Sequence, residues 1–174
     1  MGLHTLIHSL TALWKPSWEG ALMVALTYTQ GQNREGTPEA SVSGSRLLRL
    51  SAKEGDSALD MLLLLPPHKK KAAVPTGEPM SGKGAFWKVF SSEEIRQAAQ
   101  RAGDRNGIHQ GERPIAGGFL LMEAVTARFP GHAVYTLRFL APLYGDEAVY
   151  WVQRDHGGDA YASGRLCFRL DWED

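Results

Sequence analysis

From Phe119 to Ala127 the chain is apolar at every position except Glu123 and Thr126. A polar, turn-rich stretch precedes this run: Gly103-Asp104-Arg105-Asn106-Gly107-Ile108-His109-Gln110-Gly111-Glu112-Arg113-Pro114-Ile115-Ala116-Gly117-Gly118. An apolar run opened by a Pro/Gly turn predicts a helix with little polar face. Burying a carboxylate such as Glu123 without a partner is costly, so its position in that helix calls for a partner or a chemical task. Asp104, Asn106 and His109 gather just ahead of the helix, where Gly-Asp-x-Asn-Gly also fits ordinary turn chemistry.

The rest of the chain supplies helices and strands around this segment. Leu3, Leu6, Ile7, Leu10, Leu13 and Trp14 recur at spacings of three and four, the pattern of an amphipathic helix that Lys15-Pro16 ends. Extended segments are predicted over 21–29, 45–52 and 58–65, separated by Gly-, Asn- and Asp-containing turns. The interval 66–84 is rich in proline and glycine and carries Lys69-Lys70-Lys71, so it reads as a linker with a solvated charged run. A strand is predicted over 85–90. Ser91-Ser92-Glu93-Glu94 then opens a helix to about Arg101, with a serine cap and acidic residues complementing the helix dipole. Three strands follow, over 133–140, 148–154 and 161–172. In the last, Ala162, Gly164, Leu166, Phe168, Leu170 and Trp172 share one face.

Both parts of the chain thus run in one order, an apolar helix, a Pro-containing turn and three strands, which is the layout of an internal repeat. The expected division is 1–72, a shortened copy without the polar motif; 73–84, a linker; and 85–174, the copy carrying the motif.

Composition narrows the classes of function. Hydrophobic residues make up 43% and charged residues 22% of the 174, as in an ordinary globular protein. With 19 basic and 19 acidic residues the net charge is zero, which argues against a nucleic-acid or anionic-membrane partner. One cysteine, Cys167, allows no internal disulfide and no cysteine-based zinc cage, and it reads as a small strand hydrophobe. The longest apolar run, Met61–Leu65, is too short to span a bilayer, and a cytoplasmic location is expected. His4 and His8 lie one turn apart, a spacing two metal ligands can use, but no third ligand is evident, so no metal is predicted. His132 and His156 fall in turns. No phosphate-cradling glycine motif and no nucleophile elbow is present.

Residues 102–109, Ala-Gly-Asp-Arg-Asn-Gly-Ile-His, resemble the Gly-Asp-x-Asn-x-x-His signature of MaoC-like, R-specific enoyl-CoA hydratases. From His109 to Ala124 the chain also resembles 3-hydroxyacyl-ACP dehydratases, in which a catalytic His leads through a Pro/Gly turn to a catalytic Glu. Arg138–Asp146 is similar to a strand and turn that both families carry after the helix. The chain departs from these families at Gly117 and Gln110-Gly111. The resemblance implies an α+β hotdog fold, an antiparallel sheet wrapped around a central helix, here as a double hotdog with a shortened N-terminal unit.

It also implies a 3-hydroxyacyl thioester dehydratase or 2-enoyl thioester hydratase acting on acyl-CoA or acyl carrier protein, with no cofactor and with homodimer formation. A thioesterase on the same fold and a non-catalytic acyl-binding partner are the alternatives. His109 would be catalytic, with either Asp104 at the hydratase-type spacing or Glu123 at the dehydratase-type spacing as its carboxylate. Asn106 would touch substrate or water, or serve only its turn. Gly117, Gly118 and Phe119 would present backbone amides to the thioester oxygen.

Overall fold

The computed structural model describes residues 2–33, 36–67 and 84–174. The linker assignment and Lys69–Lys71 therefore lie largely outside the described residues. Among the described residues there are three α-helices, α1 (Gly2–Thr11), α2 (Ser92–Ala102) and α3 (Gly118–Arg128). Nine strands accompany them: β1 (Leu22–Thr29), β2 (Glu39–Ser43), β3 (Leu47–Glu54), β4 (Ser57–Leu64), β5 (Ala85–Val89), β6 (Val134–Phe139), β7 (Ala148–Arg154), β8 (Gly157–Ala162) and β9 (Arg165–Glu173). They form one sheet in the order β2-β3-β4-β1-β6-β9-β8-β7-β5, with every pair antiparallel.

The sheet is continuous because β1 pairs with β6, joining the strands of residues 22–64 to those of 85–173. At this seam Leu26 faces Leu137, Thr27 faces Thr136 and Tyr28 faces Tyr135, and the two tyrosine rings stack with centroids 6.5 Å apart. Like pairs of β-branched and aromatic residues stabilise cross-strand contacts. α1 packs against β3 and β4 through Leu6, Ile7 and Leu10, while α3 packs against β1 and β6. α3 buries Gly118 through Met122 together with Val125, as a helix apolar on nearly all faces must.

Three sequence expectations need correction. The first helix ends at Thr11, and Pro16–Trp18 forms a separate 3₁₀ turn. β2 was not expected; its residues, Val42 included, are all exposed, so they carry no burial alternation. The strand expected over 161–172 is two strands, β8 and β9, joined at Ser163-Gly164. Both of these residues have positive φ, 49° and 74°, as a tight hairpin turn of the primed type requires.

Candidate active site

α2 delivers the polar motif to its place. Ser91 caps the helix by accepting from the Glu94 amide at 3.0 Å, and Gly103 closes it in the left-handed conformation. The chain then turns through Asp104, whose Oδ1 accepts from the Asn106 amide at 3.0 Å. The 3₁₀ turn Gly107–His109 brings the imidazole back against the start of α3. There the ring lies so close to Gly117 that a Cβ on that residue would stand 3.3 Å from the ring carbon Cε1.

His109 is 5% exposed and has an acceptor at each ring nitrogen. Nδ1–H donates to the Ile115 carbonyl at 2.7 Å, and Nε2 stands 3.3 Å from Asp104 Oδ2. A neutral ring carries one proton and satisfies only one of these acceptors, whereas imidazolium satisfies both. Burial alone pulls the His109 pKa down. The hydrogen bond and charge of Asp104, the Ile115 carbonyl and the charge of Glu19 together outweigh it, so the group titrates above its usual 6.5.

The pair lies on the wall of a cavity of about 870 Å³. Trp14, Trp18, Met23 and Met61 from the N-terminal part and Phe119, Phe139 and Phe168 from the C-terminal part give it a largely apolar lining. That size and character suit a small-molecule site. Gly118 and Phe119 place the first turn of α3 on this wall. A Cβ at Gly118 would stand 2.2 Å from Met23 Sδ and 3.0 Å from Phe139 Cζ, so the close approach of those side chains requires glycine there. Cys167 also lines the cavity, and burial pushes its thiol up to about 11.

The structure brings His109, Asp104, Asn106, Gly118 and Phe119 onto one cavity wall, with Gly117 behind the imidazole. Two expected roles fit poorly. Glu123 is half-buried on α3 and does not line the cavity. His109 folds back to Gly117, and six residues of helix rise, about 9 Å, separate that point from residue 123. The Asn106 side-chain amide is already tied to the N-terminal turn at both its oxygen and its nitrogen. Its Oδ1 accepts from the Gly20 amide at 3.1 Å and its Nδ2 donates to the Ala21 carbonyl at 2.8 Å.

Sequence reasoning also missed the turn from Trp18 to Ala21 as part of the site. Glu19 Oε1 accepts from the Gly107 amide at 2.8 Å, a contact between residues 88 apart in sequence that no local pattern announces. Among the described residues no three His, Cys, Asp or Glu side chains gather as a metal site, and no helix is long and apolar enough to cross a membrane.

This arrangement is the hotdog fold, an antiparallel sheet curled about a helix with polar groups at the helix start. The structure is similar to HtdX of Mycobacterium tuberculosis, with a TM-score of 0.61 and 20% identity over 89% of this chain and 77% of that one. It is similar to a MaoC-like dehydratase of Phytophthora capsici, with a TM-score of 0.55 and 14% identity over 94% and 75% of the two chains. It is also similar to an acyl-ACP thioesterase of Bacteroides thetaiotaomicron, with a TM-score of 0.51 and 10% identity over 88% and 75%. No family model and no curated protein matches the sequence. At these identities the likeness defines the fold, and activity has to be argued from the site.

Proposed function

We propose that the protein is a hydro-lyase that interconverts 3-hydroxyacyl and 2-enoyl thioesters of coenzyme A or acyl carrier protein. The observation that carries this reading is the buried Asp104–His109 pair at 3.3 Å on the wall of a largely apolar cavity. Dehydration needs a base for the α proton, an acid for the departing hydroxyl and donors for the enolate oxygen.

The Asp104 carboxylate takes the α proton and the His109 imidazolium gives its Nε2 proton to the hydroxyl, which leaves as water. The C2–H electrons form the double bond as the C3–O bond breaks. Proton transfer from Asp104 to His109 then restores the pair. Hydration runs the same steps in reverse. The amides of Gly117, Gly118 and Phe119, at the positive end of α3, are suited to the thioester oxygen as it gains charge. The apolar lining suits the acyl chain.

Residues 1–72 and 85–174 are read as two hotdog units of one chain, the first without the motif. Both walls of the cavity come from a single chain. A cytoplasmic location is consistent with this role.

The test is incubation of the purified protein with crotonyl-CoA and with longer 2-enoyl thioesters. Loss of enoyl absorbance without thiol release is the expected result. Thiol release would support the thioesterase reading, which the similarity to thioesterases of this fold keeps in play. Neither signal, with CoA or carrier-protein substrates, would overturn both.

A further inference from the structure

The motif loop does not stand on its own elements. The turn after the 3₁₀ segment Pro16–Trp18 holds it through three hydrogen bonds. Gly107 N–H donates to Glu19 Oε1 at 2.8 Å, Gly20 N–H to Asn106 Oδ1 at 3.1 Å, and Asn106 Nδ2 to the Ala21 carbonyl at 2.8 Å. Gly107 opens the 3₁₀ turn that ends in His109, so whatever fixes its amide fixes the path of the ring. Two of the three bonds are made by backbone atoms of the N-terminal segment. The third is made by a side chain, Glu19, exposed on its outer side yet packed on this turn. A Cβ at residue 107 would come within 2.5 Å of Glu19 Oε1, so a side chain there would push the carboxylate off the amide it accepts from.

We propose that Glu19 is a positioning residue of the active site: its carboxylate anchors the Gly107 amide and thereby sets the imidazole of His109 against Asp104. The N-terminal segment, which lacks the motif, thus supplies the brace for it. This inference rests on the hydro-lyase reading for its kinetic consequence but not for its structural one. Glu19 contributes charge as well as a bond. The groups facing His109 are Asp104 and the Ile115 carbonyl from its own loop and Glu19 from the N-terminal turn. Arg105, Arg113 and Arg165 share the cavity wall, and Cys167 beside them is a neutral thiol near neutral pH. Loss of the Glu19 charge removes one of the influences that raise the proton affinity of His109.

Two variants separate the bond from the charge. Glu19→Gln keeps an oxygen for the Gly107 amide, and Glu19→Ala removes it. Well below the melting transition, Glu19→Ala is expected to lower kcat about tenfold with KM near wild type, since a small displacement of a catalytic group is costly. Glu19→Gln is expected to recover most of that loss. In both variants the His109 ring proton signal followed by NMR should titrate at lower pH than in the wild type.

Wild-type kcat together with a wild-type His109 titration in Glu19→Ala would overturn the proposal. A kcat loss that vanishes once the variant is fully folded would also overturn it. If the wild type turns over no enoyl or hydroxyacyl thioester, the hydro-lyase reading falls. The NMR titration then decides the anchoring role alone: a His109 that titrates at the same pH in Glu19→Ala as in Glu19→Gln rejects it, and one displaced further in Glu19→Ala upholds it.

Discussion

His109 has two candidate carboxylates, and the fold places only one of them beside it. Asp104 and Glu123 lie 5 and 14 positions from the histidine, and each spacing resembles that of one of the two families likened to this segment. In the fold the ring turns back toward Asp104, and Glu123 does not line the cavity. Asp104→Asn and His109→Ala are therefore expected to reduce kcat by about 10²- to 10⁴-fold, the usual range for a lost general acid or base. Glu123→Gln is expected to stay near wild type in the same enoyl-absorbance assay. A large loss in Glu123→Gln with normal Asp104→Asn activity would reverse the assignment.

The raised pKa of His109 has a consequence for stability with a definite sign. The unfolded ring titrates near 6.5 and the folded one above it. The native state therefore holds its proton more tightly than the unfolded state. The resulting stabilisation is fully present below pH 6.5 and disappears as the pH rises through the folded value. Urea denaturation of wild type and His109→Gln at pH 5.5 and pH 8.5 measures this. The stability difference between the two should be larger at the lower pH; an equal or larger difference at pH 8.5 would refute it.

At the scale of elements, α2 matters because it ends at the motif. Ser91 accepts from the Glu94 amide at its start, and Glu93 and Glu94 lie in its first turn. Ser91→Ala is expected to cost about 1 kcal/mol, which for a chain of this size lowers the melting temperature by about 2–4 °C in a thermal scan. Elements of this kind were legible in the sequence because their signals are local: a cap, a helical period, a Gly stop. β1, β3, β4 and β7 were legible for the same reason, their alternation being tied to burial.

β8 was not. Gly157-Gly158-Asp159 reads as a turn, and the two-residue loop at Ser163-Gly164 leaves the alternation of β9 seemingly unbroken on its far side. β2, wholly exposed at the sheet edge, offers no pattern at all. The site divides in the same way. Asp104, Asn106 and His109 were legible because they are close in sequence. Glu19 and the structural bonds of the Asn106 amide were not, because their meaning lies in contacts between residues 85 to 88 apart.

For the whole molecule the question is whether the two parts of the chain are separable. The order of strands answers it physically. β1 and β6 are interior strands, each paired on both sides, and the seam between them buries Leu26, Leu137 and Tyr135 almost completely. Cutting the sheet there would expose two unpaired edges and their apolar faces to water, a state that favours aggregation over independent folding. The cavity draws its wall from both sides of the seam, and Thr11 Oγ1 donates to the Ala102 carbonyl at 2.7 Å, tying α1 to the end of α2. The molecule should therefore unfold as one unit.

Leu26→Ala, which empties a site 0% exposed, is expected to cost about 2–5 kcal/mol. That loss should appear equally on both sides of the seam. Native-state hydrogen exchange is the discriminating measurement, with amides of β4 reporting on one side and amides of β8 on the other. Coupled parts lose protection in both strands by the same free energy. If Leu26→Ala loosens β4 and leaves β8 at its wild-type protection, the two parts fold separately, and the brace they form around His109 is a docking contact between independent units.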